Sequence, residues 1–75
     1  MIVGVLYLDE ETRMYKGKAY SYKTDLDVKM LTRVLAPVGD DGETKRACVV
    51  ALNIPITSIP KEIRPVLKTI TEYDE

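Results

Sequence analysis

The feature that most restricts the fold is an apolar run with structure-breaking residues at both ends. Residues 44–54 read TKRACVVALNI, and the six positions from Ala47 to Leu52 are all apolar. The run follows an acidic segment, DDGE at residues 40–43, and it stops at Pro55. An Asp-Gly pair suits the positive φ angles of a tight turn, and a short apolar run is typical of a strand buried on both faces. The sequence therefore predicts a β-hairpin whose second strand is buried.

Further strands are predicted on both sides of this hairpin. Residues 2–8 (IVGVLYL) are β-branched and aromatic, and they stop at three acidic residues. From Lys18 onward the chain alternates, so that Lys18, Tyr20 and Tyr22 share one face of a strand, and Gly17 marks a turn or a bulge before it. Residues 30–38 lead with Pro-Val-Gly into the hairpin turn, and residues 66–71 form a short final strand.

One helical turn is expected between the last two strands. Pro60 and Glu62 are placed to start a helix over residues 58–64, and Pro65 prevents its continuation. Five short strands and one helical turn in 75 residues predict an all-β fold, a small five-stranded SH3-like barrel. A chain of this length has room for a single domain, residues 1–75.

Cysteine usage and hydropathy indicate the compartment. The single cysteine, Cys48, lies in the apolar run, so it is predicted to be a small buried hydrophobe in a reducing, cytoplasmic setting. The first residues lack the basic segment and the cleavage site of a signal peptide. No segment approaches the roughly 18 apolar residues that a membrane span requires. We therefore expect a cytoplasmic protein that makes no membrane contact.

The composition argues against catalysis. The chain has no histidine and one cysteine, so no Ser-His pair, Cys-His pair or zinc site can be built. Residues 39–45 lack the spacing of a phosphate loop, and their carboxylates would repel phosphate. Asp25 and Asp27 are interpreted as loop residues because nothing in the sequence encloses them. We expect a protein that is not an enzyme and that uses no metal or other cofactor.

A basic, tyrosine-containing strand is the strongest binding signal. The net charge is −1, which argues against a general polyanion binder, yet six basic and two acidic residues lie between Arg13 and Arg33. Within this stretch Tyr20 and Tyr22 stand among Lys16, Lys18 and Lys23. Aromatic rings on an exposed strand can stack on nucleobases while lysines bind phosphates. Alternatively, one or both rings fill the core, since the chain has no Phe or Trp.

The order of these features resembles a known domain. The segments IVGVLYL, YSY, RVLAPVG, RACVVAL and IRPVLKTI occur in the order found in the N-terminal 3′-end-binding domain of the primosomal helicase PriA. The resemblance covers nearly the whole chain and implies a barrel of that type, here as a stand-alone phage or mobile-element protein. In that family a pocket grips the 3′-terminal nucleotide of DNA. Its aromatic-Asp-aromatic triplet falls here on Tyr20, Ser21 and Tyr22, its glycine on Gly39 and its basic residue on Arg64.

Two functions follow as hypotheses. In the first, the chain binds single-stranded DNA 3′ ends or fork structures, with Tyr20 and Tyr22 stacking, Gly39 allowing close approach, and Arg64 and Lys23 neutralising phosphate. Ser21 replaces the family's aspartate and brings no charge, so this contact should be weaker. In the second, the chain is a protein-interaction adaptor that binds a host or replisome protein through a strand edge, or forms a homodimer, with no nucleic-acid ligand.

Overall fold

The computed structural model describes all residues, Met1–Glu75, and consists mainly of β-strands. The strands are β1 (Ile2–Asp9), β2 (Met14–Thr24), β3 (Arg33–Val38), β4 (Glu43–Ala51), β5 (Thr69–Ile70) and β6 (Glu72–Tyr73). Two single 3₁₀ turns, Ile56–Ser58 and Arg64–Val66, lie between β4 and β5. The predicted all-β class is confirmed. Neither 3₁₀ turn has the length or the apolar character of a membrane-spanning helix.

The six strands form one mixed sheet in the order β5-β2-β1-β4-β3-β6. All neighbours are antiparallel except β2 and β5. The predicted closed five-stranded barrel is therefore wrong: the sheet has six strands and is open, because its edge strands β5 and β6 do not pair with each other. Only Thr71 separates β5 from β6, so a single segment of chain lies along both edges of the curled sheet.

Gly17, predicted to mark a turn or a bulge, lies in a bulge, and the predicted hairpin turn before β4 is also present. Val5 faces Tyr20 and Tyr7 faces Lys16, so one residue of β1 stands opposite three of β2. Gly17 lies in this bulge with φ +95°, a conformation that a side chain disfavours. Between β3 and β4 the hairpin turn spans residues 39–42, as the Asp-Gly signal predicts, with Val38 facing Glu43.

The core lies on one face of the curled sheet. Its largest fully buried side chains are Val3, Val5, Val34, Val49 and Ile70. As predicted, Cys48 is buried on the central strand β4, and burial raises the pKa of its thiol. Buried Thr24 attaches β5 to β2, because its hydroxyl donates to the Ile70 carbonyl at 2.8 Å and accepts the Leu26 amide at 3.1 Å.

The segment after β4 differs from the sequence prediction. Within the predicted range 58–64 the amides of Ile63 and Arg64 both donate to the Pro60 carbonyl, which forms a single turn, and two 3₁₀ turns overlap the ends of the range at Ser58 and Arg64. Pro60 and Pro65 lack amide hydrogens, which prevents a continuous helical ladder, and Pro65 lies in the second turn. Val66 belongs to that turn and not to a strand, so the predicted strand over residues 66–71 shortens to Thr69–Ile70.

Candidate binding groove

The edge of β2 is only partly covered by β5. Their pairing is limited to Lys23 and Thr24, so residues 14–22 of β2 have no strand partner on that side. The Thr24 amide points toward β1 and donates to the Met1 carbonyl at 2.9 Å, whereas the Lys23 amide points away and donates to the Lys68 carbonyl at 3.0 Å. Backbone direction alternates along a strand, so the N–H and C=O of Ser21 also point away from β1, toward the open edge.

A groove runs between this edge and the segment that contains the second 3₁₀ turn. Its volume is about 300 Å³. Most lining residues are apolar or aromatic, two are lysines, and none is acidic: Lys18, Ala19, Tyr20, Ser21, Tyr22, Ile59, Pro60, Ile63, Val66, Leu67 and Lys68. The structure thus gathers the whole Tyr-Ser-Tyr triplet at one apolar groove with a lysine from each wall.

Tyr22 belongs to the core. Its ring is 5% exposed, and its hydroxyl donates to the Pro37 carbonyl at 2.9 Å. A hydroxyl has one hydrogen, so the hydrogen bond between Tyr7 and Tyr22 is donated by Tyr7. Burial, reinforced by this contact with Tyr7, raises the pKa of Tyr22 well above its ordinary value of 10.0. Tyr22 therefore forms the floor of the groove and is not a free stacking platform.

Tyr20 is the exposed member of the triplet. It is 43% exposed, and its ring stacks on Tyr7 with 4.8 Å between centroids and 23° between planes. The Nζ of Lys45 lies 5.2 Å from the centroid of the Tyr7 ring, which adds a cation–π contact. Core packing on one side orients Tyr20 and leaves part of its ring open to a ligand. The two interpretations of the tyrosines therefore apply to different residues: Tyr22 packs in the core, and Tyr20 lies at the surface.

The lysines near the groove differ in their partners. Lys16 lies 3.0 Å from an Asp9 carboxylate oxygen, and this contact, with the amides of Glu11 and Thr12, lowers the pKa of Asp9. Lys68 has its Nζ 3.5 Å from Oδ1 of Asp40. No carboxylate lies within 4.0 Å of Lys18. Lys18 is therefore the uncompensated charge of the groove, and Lys68 shares its charge with the hairpin.

The remaining predicted site residues lie outside the lining. Lys23 borders a separate hollow with Met1, Asp25 and Thr69. Arg64 donates from Nε to the Ile59 carbonyl at 2.9 Å, which directs its guanidinium into its own chain segment. Gly39 lies in the β3–β4 turn with φ +65°.

The basic residue that the sequence analysis missed is Lys68. It stands four positions after Arg64 in the same IRPVLKTI segment, and its side chain lines the groove. The available signal was the basic character of this segment, which does not distinguish between the two positions. Arg64 is the first residue of the second 3₁₀ turn and bonds back to Ile59, whereas Lys68 follows the turn and its carbonyl accepts the Lys23 amide of β2.

No family model matches the chain, and comparisons with characterised proteins and with solved structures find no match. The resemblance to the PriA domain therefore rests on the ordered sequence segments alone.

Proposed function

We propose that the chain is a non-enzymatic binding module that holds the terminal nucleotide of single-stranded DNA at a 3′ end or a fork. The observation that carries the proposal is the free backbone of Ser21 at an apolar groove that has a lysine on each wall. Replication of a phage or mobile element is the setting that the PriA resemblance implies. The groove contains no carboxylate, thiol or imidazole, which favours binding over acid–base chemistry.

The base would enter the groove itself. Its aliphatic wall, with Ile63 and Leu67, suits the flat apolar faces of a nucleobase. The N–H and C=O of Ser21 offer one donor and one acceptor to a base edge, a pattern that any nucleobase can meet. The volume of about 300 Å³ is at the lower end of small-ligand sites, roughly 300–1,000 Å³, so it suits one nucleotide. Tyr20 is placed to stack on the next base.

The phosphates would lie at the rim. Lys18 and Lys68 come from opposite walls, so a strand that enters the groove passes close to both. Because the net charge of the chain is −1, attraction depends on this local pair and not on a general positive field. Affinity should therefore fall as salt concentration rises.

Fluorescence anisotropy with a 5′-fluorescein single-stranded decamer tests the proposal. The chain should bind this strand more tightly than the same sequence in a blunt duplex. Tyr20→Ala should weaken binding by about 5- to 150-fold, the equivalent of a stacking energy of roughly 1–3 kcal/mol. Tyr73→Ala is the matched control, because Tyr73 is similarly exposed, 41% against 43%, and lies on the opposite edge strand. Equal affinities of the Tyr20→Ala variant and the parent would refute the proposal.

A second candidate, a protein-interaction adaptor, is favoured by the open edge of β2. Residues 14–22 offer unpaired backbone groups beside an apolar groove, and an extended peptide or a second copy could add a strand there. An NMR titration separates the candidates. Shifts of the Ser21 and Tyr20 amides on addition of the decamer at low salt support DNA binding. If the decamer changes no chemical shift, and the chemical shifts of residues 14–22 depend on protein concentration, the result supports a homodimer.

A further inference from the structure

The open edge of β2 is blocked at one end. From Lys23 onward the edge is occupied by β5, which runs parallel to β2 with Lys23 beside Thr69. The Lys68 carbonyl, just before β5, accepts the Lys23 amide. At the other end the bulge at Gly17 interrupts the strand. An added strand can therefore pair with residues 18–22, and it has to end where it meets Lys68.

The blocked end of the groove is basic. Lys68 lines it, and the acidic partner of its Nζ is Oδ1 of fully exposed Asp40 at 3.5 Å. An exposed pair of this kind is weak, so Lys68 is able to turn to a ligand. Lys18 lines the groove near the bulge, and the lining contains no acidic residue. A chain end with a negative charge is therefore favoured at Lys68 over one with a positive charge.

The direction of an added strand follows from this charge. In a strand parallel to β2 the carboxyl terminus meets Lys68, whereas in an antiparallel strand the amino terminus does, and Lys68 would repel its ammonium group. A parallel strand continues the register of β5, in which the Lys23 amide donates to the residue before Thr69. The Ser21 amide then donates to the terminal carboxylate. This register places the last residue level with Tyr20 and the third residue from the end level with Lys18.

We infer that the groove binds the C-terminal end of a partner protein, with an apolar last residue and an acidic residue two positions before it. The apolar side chain would lie against Tyr20 and Ile63, the acidic side chain beside Lys18, and the terminal carboxylate between the Ser21 amide and Lys68. Backbone pairing at a strand edge, combined with pockets for side chains, is an established mode of peptide recognition.

Peptide binding goes beyond the proposed function and does not rest on it, because the two ligands are measured separately. Both ligands would use the Ser21 backbone and Lys68. A bound DNA strand and a bound chain end would therefore exclude each other from the groove.

The test uses fluorescence anisotropy with two peptides, fluorescein-GSGSEVL with a free carboxyl terminus and the same peptide with a C-terminal amide. The parent should bind the free acid about five-fold more tightly, because a hydrogen bond to a charged group is stronger than one to a neutral group. K68Q should lose most of this preference. K61Q is the matched control and should keep it, because Lys61 lies on the same segment but outside the lining.

A third peptide, fluorescein-GSGSQVL with a free carboxyl terminus, tests the register. It lacks the charge that would lie beside Lys18, so the parent should bind it about two- to five-fold more weakly than the glutamate peptide. K18Q should bind these two peptides equally. If K18Q keeps the parental difference, the strand does not lie in the inferred register.

Two further outcomes would overturn the inference. If the parent binds the acid and the amide equally, or if K68Q keeps the parental ratio, the groove does not recognise a chain end through Lys68. If the parent binds neither peptide at millimolar concentration, the groove is not a site for such chain ends. The decamer titrations contain no peptide, so either result leaves the proposed DNA binding to be decided by its own test.

Discussion

The hydroxyl of Tyr7 donates to the hydroxyl of Tyr22, which donates in turn to the carbonyl of Pro37. The relay joins β1, β2 and β3, and β1 and β3 are not neighbours in the sheet. It crosses the interior beneath the groove. Tyr22 therefore links strands at a position where the sequence suggests a ring that stacks on a ligand.

Replacing Tyr22 with Phe should lower the free energy of unfolding by about 1–3 kcal/mol, because the Pro37 carbonyl and the Tyr7 hydroxyl both lose a partner. Urea denaturation measures this loss. Tyr15→Phe is the control, since the Tyr15 hydroxyl makes no hydrogen bond within the chain, and it should change stability by less than about 0.5 kcal/mol. A Tyr22→Phe variant as stable as the parent would show that the relay contributes nothing.

Replacing Lys68 with Ala should weaken binding of the single-stranded decamer and reduce its salt dependence. The loss of one phosphate contact should make the slope of log affinity against log salt shallower by about 0.7. Anisotropy titrations at several salt concentrations give this slope. Lys29→Ala removes the same charge at a residue outside the groove and should leave the slope unchanged. If the two variants behave alike, Lys68 acts only through net charge.

Replacing Leu31 with Gly should stabilise the protein. Leu31 has φ +72°, a left-handed conformation that costs an L-residue about 1–2 kcal/mol, and its side chain is 69% exposed, so little packing is lost. Part of the gain is offset by the flexibility of glycine in the unfolded chain, which leaves about 0.5–1 kcal/mol. The neighbouring exposed residue Met30 has a negative φ, so Met30→Gly should instead destabilise. Urea midpoints that move in the same direction for both variants would contradict this expectation.

The charge of Asp9 should stabilise the fold at neutral pH and lose this effect in acid. Contact with Lys16 and with two amides holds the pKa of Asp9 below its ordinary value of 3.8. A carboxylate with a lowered pKa in the folded state stabilises above its unfolded pKa, and this stabilisation disappears as pH falls through the folded value. Asp9→Asn should therefore be less stable than the parent at pH 7, and the difference should shrink toward pH 3. A difference that is the same at both pH values would exclude the ionic contribution.

Local patterns predict the strands well and the ends of the sheet poorly. The β3–β4 hairpin, the bulge at Gly17 and the buried Cys48 follow from turn residues and from hydrophobic alternation. The sixth strand could not be predicted because Glu72 and Tyr73 lie in an acidic segment without strand character. They pair with Leu35 and Val34, and only the three-dimensional course of the chain brings these residues together.

The site residues, like the strands of the sheet, could be predicted only in part. Alternation placed Tyr20 and Tyr22 on one face, but alternation cannot say how deep that face lies. Tyr20 stands opposite Val5 and Tyr22 opposite Val3, and both valines are fully buried, so the strand register does not distinguish the two tyrosines. Arg64 and Lys68 have the same charge and lie on one short segment, but Arg64 begins the 3₁₀ turn and bonds back to Ile59, whereas Lys68 follows the turn and lines the groove.

The short segment that borders both edges of the sheet has a consequence for the time course of folding. Thr24 bonds to Ile70, a contact 46 residues apart in sequence, and Arg33 bonds to Asp74. Such distant pairings require large loops to close, and the entropic cost of closure comes before any favourable contact is made. Chains rich in such pairings fold in roughly milliseconds to seconds. The outer edges of β2 and β3 stay uncovered until residues 69–73 have paired, so a nascent chain that lacks these residues exposes two unprotected strand edges.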